Sequence, residues 1–172
     1  MAKRKRTTKK TKVAVPQHTL PLGFWLQVGA VLLAVLALLL VIAMFGAGGP
    51  MLAWLLTAFQ TLLGWAVYAL PVLFVYLAYS TFTAEENRLP IIVQVASWLF
   101  ILWLAGFLQL SVLDPMKYEL AQSGQGGGVV GWLANQAMLA MVSSGVAKFI
   151  YIVFAFITTL FILRITPMAI FE

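Results

Sequence analysis

The sequence has few charged residues and no cysteine. Of its 172 residues, 9% are charged, whereas soluble domains average about 25%. No Asp, Glu, Lys or Arg occurs between Lys12 and Glu85. An uncharged stretch of that length cannot form a water-exposed surface, so the composition excludes a soluble domain and predicts an integral membrane protein. The absence of cysteine excludes a disulfide framework, a thiol nucleophile and a thiolate metal site.

Side-chain groupings that support catalysis or metal binding are also missing. The five acidic residues lie in predicted loops or at the C-terminus, at Glu85, Glu86, Asp114, Glu119 and Glu172. The adjacent Glu85 and Glu86 are better explained as a solvated turn than as a general acid and base. The one histidine, His18, cannot form a metal site, which needs several converging ligands, and no phosphate-binding loop is present. We therefore predict no catalytic residue, no cofactor, no metal site and no enzymatic activity.

Ionisable residues inside the predicted spans, which mark most transport pathways, are nearly absent. Lys148 is the exception, and it lies close enough to a span end for its ammonium group to reach water. We predict that Lys148 and Arg164 act as interface anchors. A small transporter or channel subunit stays an alternative, with Lys148 and the span proline Pro71 as its candidate residues.

Positive charge is concentrated at the N-terminus. Seven of the eleven basic residues lie within the first twelve positions, namely Lys3, Arg4, Lys5, Arg6, Lys9, Lys10 and Lys12. A tail of this composition is solvated, attracts anionic lipid headgroups and keeps its end of the chain in the cytoplasm. We predict residues 1–19 to be a disordered cytoplasmic tail.

Apolar runs predict an all-α membrane domain over residues 20–166. Its four transmembrane helices are expected at about 22–45, 64–82, 90–112 and 145–163. The first run is too long for a signal-peptide core and is predicted to be an uncleaved anchor. Because four spans return the chain to its starting side, residues 167–172 are expected in the cytoplasm. The basic Arg164 at the end of the fourth span is consistent with this orientation, since basic residues favour the cytoplasmic side.

The tract from Val129 to Leu163 is too long to be one span. As a single helix its 35 residues would measure about 52 Å, against a hydrocarbon core of about 30 Å. We therefore predict a connector helix at about 129–143 that precedes the fourth span, and a corresponding connector at about 51–62. Both are expected to lie in the membrane interface, with Trp54 and Trp132 as anchors. Re-entrant helices that dip between the spans are the alternative.

Each half of the sequence has the same order of span, glycine turn, short helix near a Trp, and span. This order suggests a parallel two-fold internal repeat. The run from Gly124 to Gly128 is interpreted as a flexible connector. The residues predicted to form the connector turns are Gly48, Gly49, Pro50, Gly64, Gly128, Gly131 and Gly145.

Three stretches carry a resemblance to a known family. They are the glycine-led segment 128–133, the segment 145–147 with the apolar run that follows it, and the segment 64–71 that opens the second span. Together they resemble the N-terminal four-span membrane domain of the FtsK/SpoIIIE family of DNA translocases. The likeness covers most of residues 20–166.

The resemblance implies a role rather than a reaction. In this family the membrane domain anchors and oligomerises a ring-shaped, ATP-driven motor at the division septum, and the motor moves chromosomal DNA. The chain is therefore expected to be the anchor region of a longer protein, rather than a stand-alone relative. It would lie in the bacterial inner membrane, and its partners would be the bilayer, further copies of itself and division-site membrane proteins. DNA would be contacted only through an absent motor domain. A structural subunit of an unrelated membrane complex is a further alternative.

Overall fold

The structure is a computed structural model that describes residues 24–83 and 91–164. In these residues every regular element is helical, which confirms the predicted all-α class. Three predicted parts lie outside the described residues. They are the basic tail at residues 1–19, most of the loop that carries Glu85 and Glu86, and the C-terminal segment 167–172.

Seven α-helices and one 3₁₀ segment make up the described chain. The helices are α1 (Phe24–Met44), α2 (Gly49–Leu63), α3 (Leu70–Thr83), α4 (Ile91–Gln109), α5 (Tyr118–Gln122), α6 (Gly128–Leu139) and α7 (Ser144–Leu163), and the 3₁₀ segment is Gly64–Ala69. Four helical runs are long and apolar enough to cross a membrane, one of which combines α2, the 3₁₀ segment and α3. The four-span prediction is therefore confirmed.

The second span begins differently from the prediction of a uniform helix over 64–82. Gly64 has a φ of 57° and a ψ of −134°, a conformation that only glycine adopts readily, and it separates α2 from the 3₁₀ segment. A 3₁₀ helix rises about 2.0 Å per residue, so the 3₁₀ segment and α3 together reach about 33 Å. Pro71 is the second residue of α3, where its missing N–H leaves no hydrogen bond broken in the helix interior.

The connection between the third and fourth spans is also more structured than predicted. Helix α4 ends at Gln109, three residues before the expected end of the third span. The short helix α5, which was not predicted, follows at Tyr118. Helix α6 ends at Leu139 rather than at residue 143. The chain turns after Leu139, and α7 begins at Ser144, with Ser143 as its N-cap.

The helices pack in two pairs that follow the two halves of the sequence. The most extensive contacts join α4 with α7 and α1 with α3, while α2 and α6 touch each other across the halves. A shared core of apolar side chains includes Leu40 from α1, Leu70 and Phe74 from α3, and Ile101 from α4. We call the end of the bundle that holds α2, α5 and α6 the connector end, and the end where α1 begins the tail end.

Candidate functional site

The two halves meet through glycines at the connector end. We call Gly64, Gly126, Gly127, Gly128 and Gly131 the glycine junction. Across it the backbone N–H of Trp65 donates a hydrogen bond of 2.6 Å to the carbonyl oxygen of Gly126. A segment that opens the second span is thereby joined directly to the segment that opens α6.

The absence of side chains at the junction is what allows the backbones to meet. A Cβ atom at Gly64 would overlap the carbonyl oxygen of Gly126 and the amide nitrogen of Gly128. At Gly127 and at Gly131 it would overlap the carbonyl oxygen of Ala105 in α4. The obstacles are backbone atoms, which cannot rotate away as a side chain can. The junction therefore requires glycine for close approach at several points at once.

Gln109 ties the junction to the end of α4. Its side chain is fully buried, its Oε1 accepts a hydrogen bond of 2.9 Å from the N–H of Gly127, and its Nε2 donates one of 3.2 Å to the carbonyl oxygen of Pro115. One amide group thus satisfies two backbone groups from different segments. Because unpaired backbone groups are costly when buried, Gln109 fixes where α6 begins and how the chain leaves α4.

A second polar contact lies among α4, α6 and α7. The hydroxyl of Tyr151 donates a hydrogen bond of 2.9 Å to Oδ1 of Asn135, and both side chains are fully buried. A Cβ atom at Gly106 would come within 2.6 Å of the ring of Tyr151, so the ring fits only because Gly106 has no side chain. Asn135 Nδ2 has no hydrogen-bond partner among the described residues. This pair therefore joins α6 to α7 while neither N–H of the Asn135 amide donates to a described residue.

Trp132 on α6 contacts the segment that connects α4 with α5. Its indole N–H donates a hydrogen bond of 2.9 Å to the carbonyl oxygen of Met116, and its ring packs against Tyr118 at a centroid separation of 4.9 Å. The connector from α4 through α5 is therefore held onto α6 as well as onto Gln109.

A comparison with known protein families identifies the family of this chain. Residues 44–172 match the family described as the 4TM region of DNA translocase FtsK/SpoIIIE. The chain belongs to this family. Among curated proteins and among solved structures, none matches the chain significantly. The resemblance stated from the sequence is thus confirmed, and the glycine junction, α4, α6 and α7 all lie within the matched part of this FtsK/SpoIIIE membrane domain.

Three of the residues predicted as connector turns of the FtsK/SpoIIIE domain lie within helices instead. Pro50 is the second residue of α2. Gly131 is inside α6, where it is buried against Ala105 rather than in a turn. Gly145 lies in the first turn of α7. The turn assignments were wrong at these helical positions because glycine also serves close packing and helix starts.

Four of the predicted turn glycines do separate elements. Gly48 and Gly49, with φ values of 150° and 71°, lie between α1 and the body of α2. Gly64 breaks the chain between α2 and the 3₁₀ segment, and Gly128, with a φ of 61°, is the first residue of α6. The interpretation of the run from Gly124 to Gly128 as a flexible connector was wrong. Gly126, Gly127 and Gly128 are buried, and Gly126 and Gly128 contact the segment around Gly64 in the other half.

The predicted interface anchors occupy different environments. Trp54 on α2 is 71% exposed, and no residue of α2 is buried within the described part of the chain. Trp132, in contrast, makes the protein contacts described above. Lys148 lies in the second turn of α7 and is half-buried, and Arg164 ends that helix with a left-handed φ of 56°. The two connector helices therefore differ, since one face of α6 is buried at Gly128, Gly131 and Asn135, whereas α2 has no buried residue in the described part of the chain.

The polar side chains described at this site contact backbone groups or each other and join neighbouring segments. In residues 24–83 and 91–164, no three His, Cys, Asp or Glu side chains lie together in a way that could hold a metal ion. The side chain that sequence reasoning missed, Gln109, is a polar group within an apolar helix. That position was the one signal by which it could have been found, since buried polar groups need partners.

The contact between Asn135 and Tyr151 allows a test by a double-mutant cycle. We expect Tyr151→Phe to lower the free energy of unfolding by about 1 to 2 kcal/mol, because it leaves Asn135 wholly unpaired. The double change Tyr151→Phe with Asn135→Leu should cost less than the sum of the two single changes, since it removes both groups. Reversible unfolding in mixed micelles, monitored by the circular dichroism signal of the helices, measures the free energy of unfolding of each variant. Strict additivity would show that the hydrogen bond does not stabilise the domain.

Proposed function

We propose that this four-span domain anchors and oligomerises the motor of a septal DNA translocase that acts in chromosome segregation and cell division. The observation that carries the proposal is the match of residues 44–172 to the 4TM region of the FtsK/SpoIIIE family. The domain itself supplies no motor, so its contribution would be to hold several motor subunits at one place in the bacterial inner membrane, with both termini in the cytoplasm.

The organisation of the domain supports this role. The glycine junction and Gln109 join the start of the second span, the end of the third span and α6 through backbone contacts, and such rigid connections suit an anchor that bears load. Large apolar side chains remain exposed on the outer faces of α1, α3 and α7, among them Leu38, Val72 and Phe149. In a membrane such faces contact lipid or neighbouring helices, and they offer area for association of further copies.

Oligomerisation can be tested by disulfide cross-linking in membranes, because the chain contains no cysteine. Single cysteines would be introduced at exposed positions on each span, such as Leu38→Cys, Val72→Cys and Phe149→Cys, and oxidised in native membranes. We expect covalent dimers from positions on one or two faces only. A chain that combines one cysteine from each of two reactive faces should form a ladder of higher species.

The matched control places the cysteine at a buried site, Leu40→Cys, which should give no cross-link. A domain that stays monomeric from every exposed position would contradict oligomerisation. Fluorescent fusions would test location separately, and uniform labelling of the envelope without enrichment at the septum would contradict the septal role.

A further inference from the structure

Helix α2 begins and ends at the same level of the membrane. Val41 of α1 and Pro71 of α3 line one groove near the connector end, and Leu26 and Thr81 line another at the tail end, so the first two spans run antiparallel. Helix α1 measures about 31 Å, which matches a hydrocarbon core of about 30 Å. Because α2 joins the end of the first span to the start of the second, both of its ends lie at the surface of the leaflet at the connector end.

Two neighbouring sides of α2 are apolar, and the bundle covers only one of them. Leu56, Phe59 and Leu63 pack against the shared core. The same spacing one residue earlier defines a second side, rotated by about 100° around the helix. We call this second side the lipid strip, and it consists of Met51, Leu55, Ala58 and Leu62. Met51 is 83% exposed and Leu62 is 51% exposed, so the protein leaves the strip open.

Helix α5 shows which side of α2 faces water. The side opposite the lipid strip carries Ala53, Thr57 and Gln60. Gln60 lies against Gly124, just after α5, where an added Cβ atom would come within 3.2 Å of it. Glu119 of α5 is exposed, and a charged side chain at this level needs water around it. The side of α2 toward α5 therefore faces water, and the lipid strip on the opposite side faces the membrane.

The composition of α2 indicates how it contacts the membrane. The helix contains no Asp, Glu, Lys or Arg, so headgroup charge neither attracts nor repels it. Trp54 points away from the bundle, between the lipid strip and the water-facing side, which places its ring at the headgroup level that Trp favours. A helix that lies in the interface plane with an apolar side inward buries that side among the acyl chains.

We propose that α2 inserts the lipid strip into the acyl region of the leaflet at the connector end, through apolar contact alone. The helix then extends the four-span body sideways within one leaflet. The proposal applies to α2 and not to α6, whose Trp132 is engaged by the carbonyl of Met116. It is independent of motor anchoring and of oligomerisation, since a single domain would make the same contact with lipid.

Spin labels can locate each side of α2, because the chain contains no cysteine. Met51→Cys and Leu62→Cys would carry labels on the lipid strip. The matched controls are Ala53→Cys and Thr57→Cys, which lie on the same helix and are likewise exposed, but on the water-facing side. Since none of the four positions is buried, each labelled chain should fold. Circular dichroism of the full chain in bilayers would verify this against the parent.

Collision with two reagents distinguishes lipid from water around each label. One reagent is oxygen, which concentrates among acyl chains, and the other is a water-soluble nickel chelate. We expect labels at Met51→Cys and Leu62→Cys to collide with oxygen and to lose contact with the chelate, and the two controls to show the reverse. The pattern should be the same in phosphatidylcholine and in phosphatidylglycerol bilayers, because α2 carries no charge.

Three results would overturn the proposal. Contact with the chelate at Met51→Cys and Leu62→Cys equal to that at the controls would show that the strip faces water. Low collision with both reagents would show that protein covers the strip, and dipolar broadening between labels would then identify a second copy of the chain as the occupant. A depth of the strip that changes with headgroup charge would contradict insertion through apolar contact alone.

Discussion

Gly64→Ala should destabilise the domain by about 3 kcal/mol or more. Two costs combine at this position. The added Cβ atom would overlap the backbone of Gly126 and Gly128, and overpacking typically costs about 1–3 kcal/mol. The backbone of Gly64 also has φ 57° and ψ −134°, a region in which a residue with a side chain is strained by about 1–3 kcal/mol. The free energy of unfolding in mixed micelles would measure the sum.

Two control glycines separate these costs. Gly46→Ala shares the positive φ, at 72°, but has open space around its Cβ atom among the described residues, so it should show only backbone strain, about 1 kcal/mol. Gly145→Ala has neither cost and should be neutral or slightly stabilising. If Gly64→Ala were no worse than Gly46→Ala, close approach at the junction would not contribute to stability.

The number and class of the spans were accessible from the sequence because apolar length is a property of consecutive residues. Helix α7, at Ser144–Leu163, begins and ends within one residue of the predicted span. The splitting of the tract from Val129 likewise followed from length alone. In each case the thickness of the membrane limits the length of a single span, and that length is set by consecutive residues.

The glycine junction was not accessible in this way, because the same glycine run suits a mobile loop and a close backbone contact equally well. Which of these applies to Gly127 depends on Ala105, which lies in another helix. The 3₁₀ start of the second span depends in turn on the hydrogen bond between Trp65 and Gly126. These features arise from contacts between distant parts of the chain, to which periodicity and composition are insensitive.

Gln109 is the other residue on which the junction depends, and Gln109→Leu should lower the free energy of unfolding by about 3 kcal/mol. The change conserves volume approximately but leaves the N–H of Gly127 and the carbonyl oxygen of Pro115 without their side-chain partner. The N–H of Gly127 is buried, so leaving it unpaired costs about 1–3 kcal/mol, and the partly exposed carbonyl of Pro115 adds less. The same unfolding titration measures the loss.

The matched control is Gln122→Leu, an identical change at an exposed position at the end of α5, which should alter stability by less than about 0.5 kcal/mol. A loss in Gln109→Leu no larger than in Gln122→Leu would show that water or backbone rearrangement satisfies Gly127 and Pro115. The combination of Gln109→Leu with Gly64→Ala is also informative. Both changes act on the contact between Gly126, Gly127 and the second span, so their combined cost should be less than additive, as expected when the first change has already opened the junction.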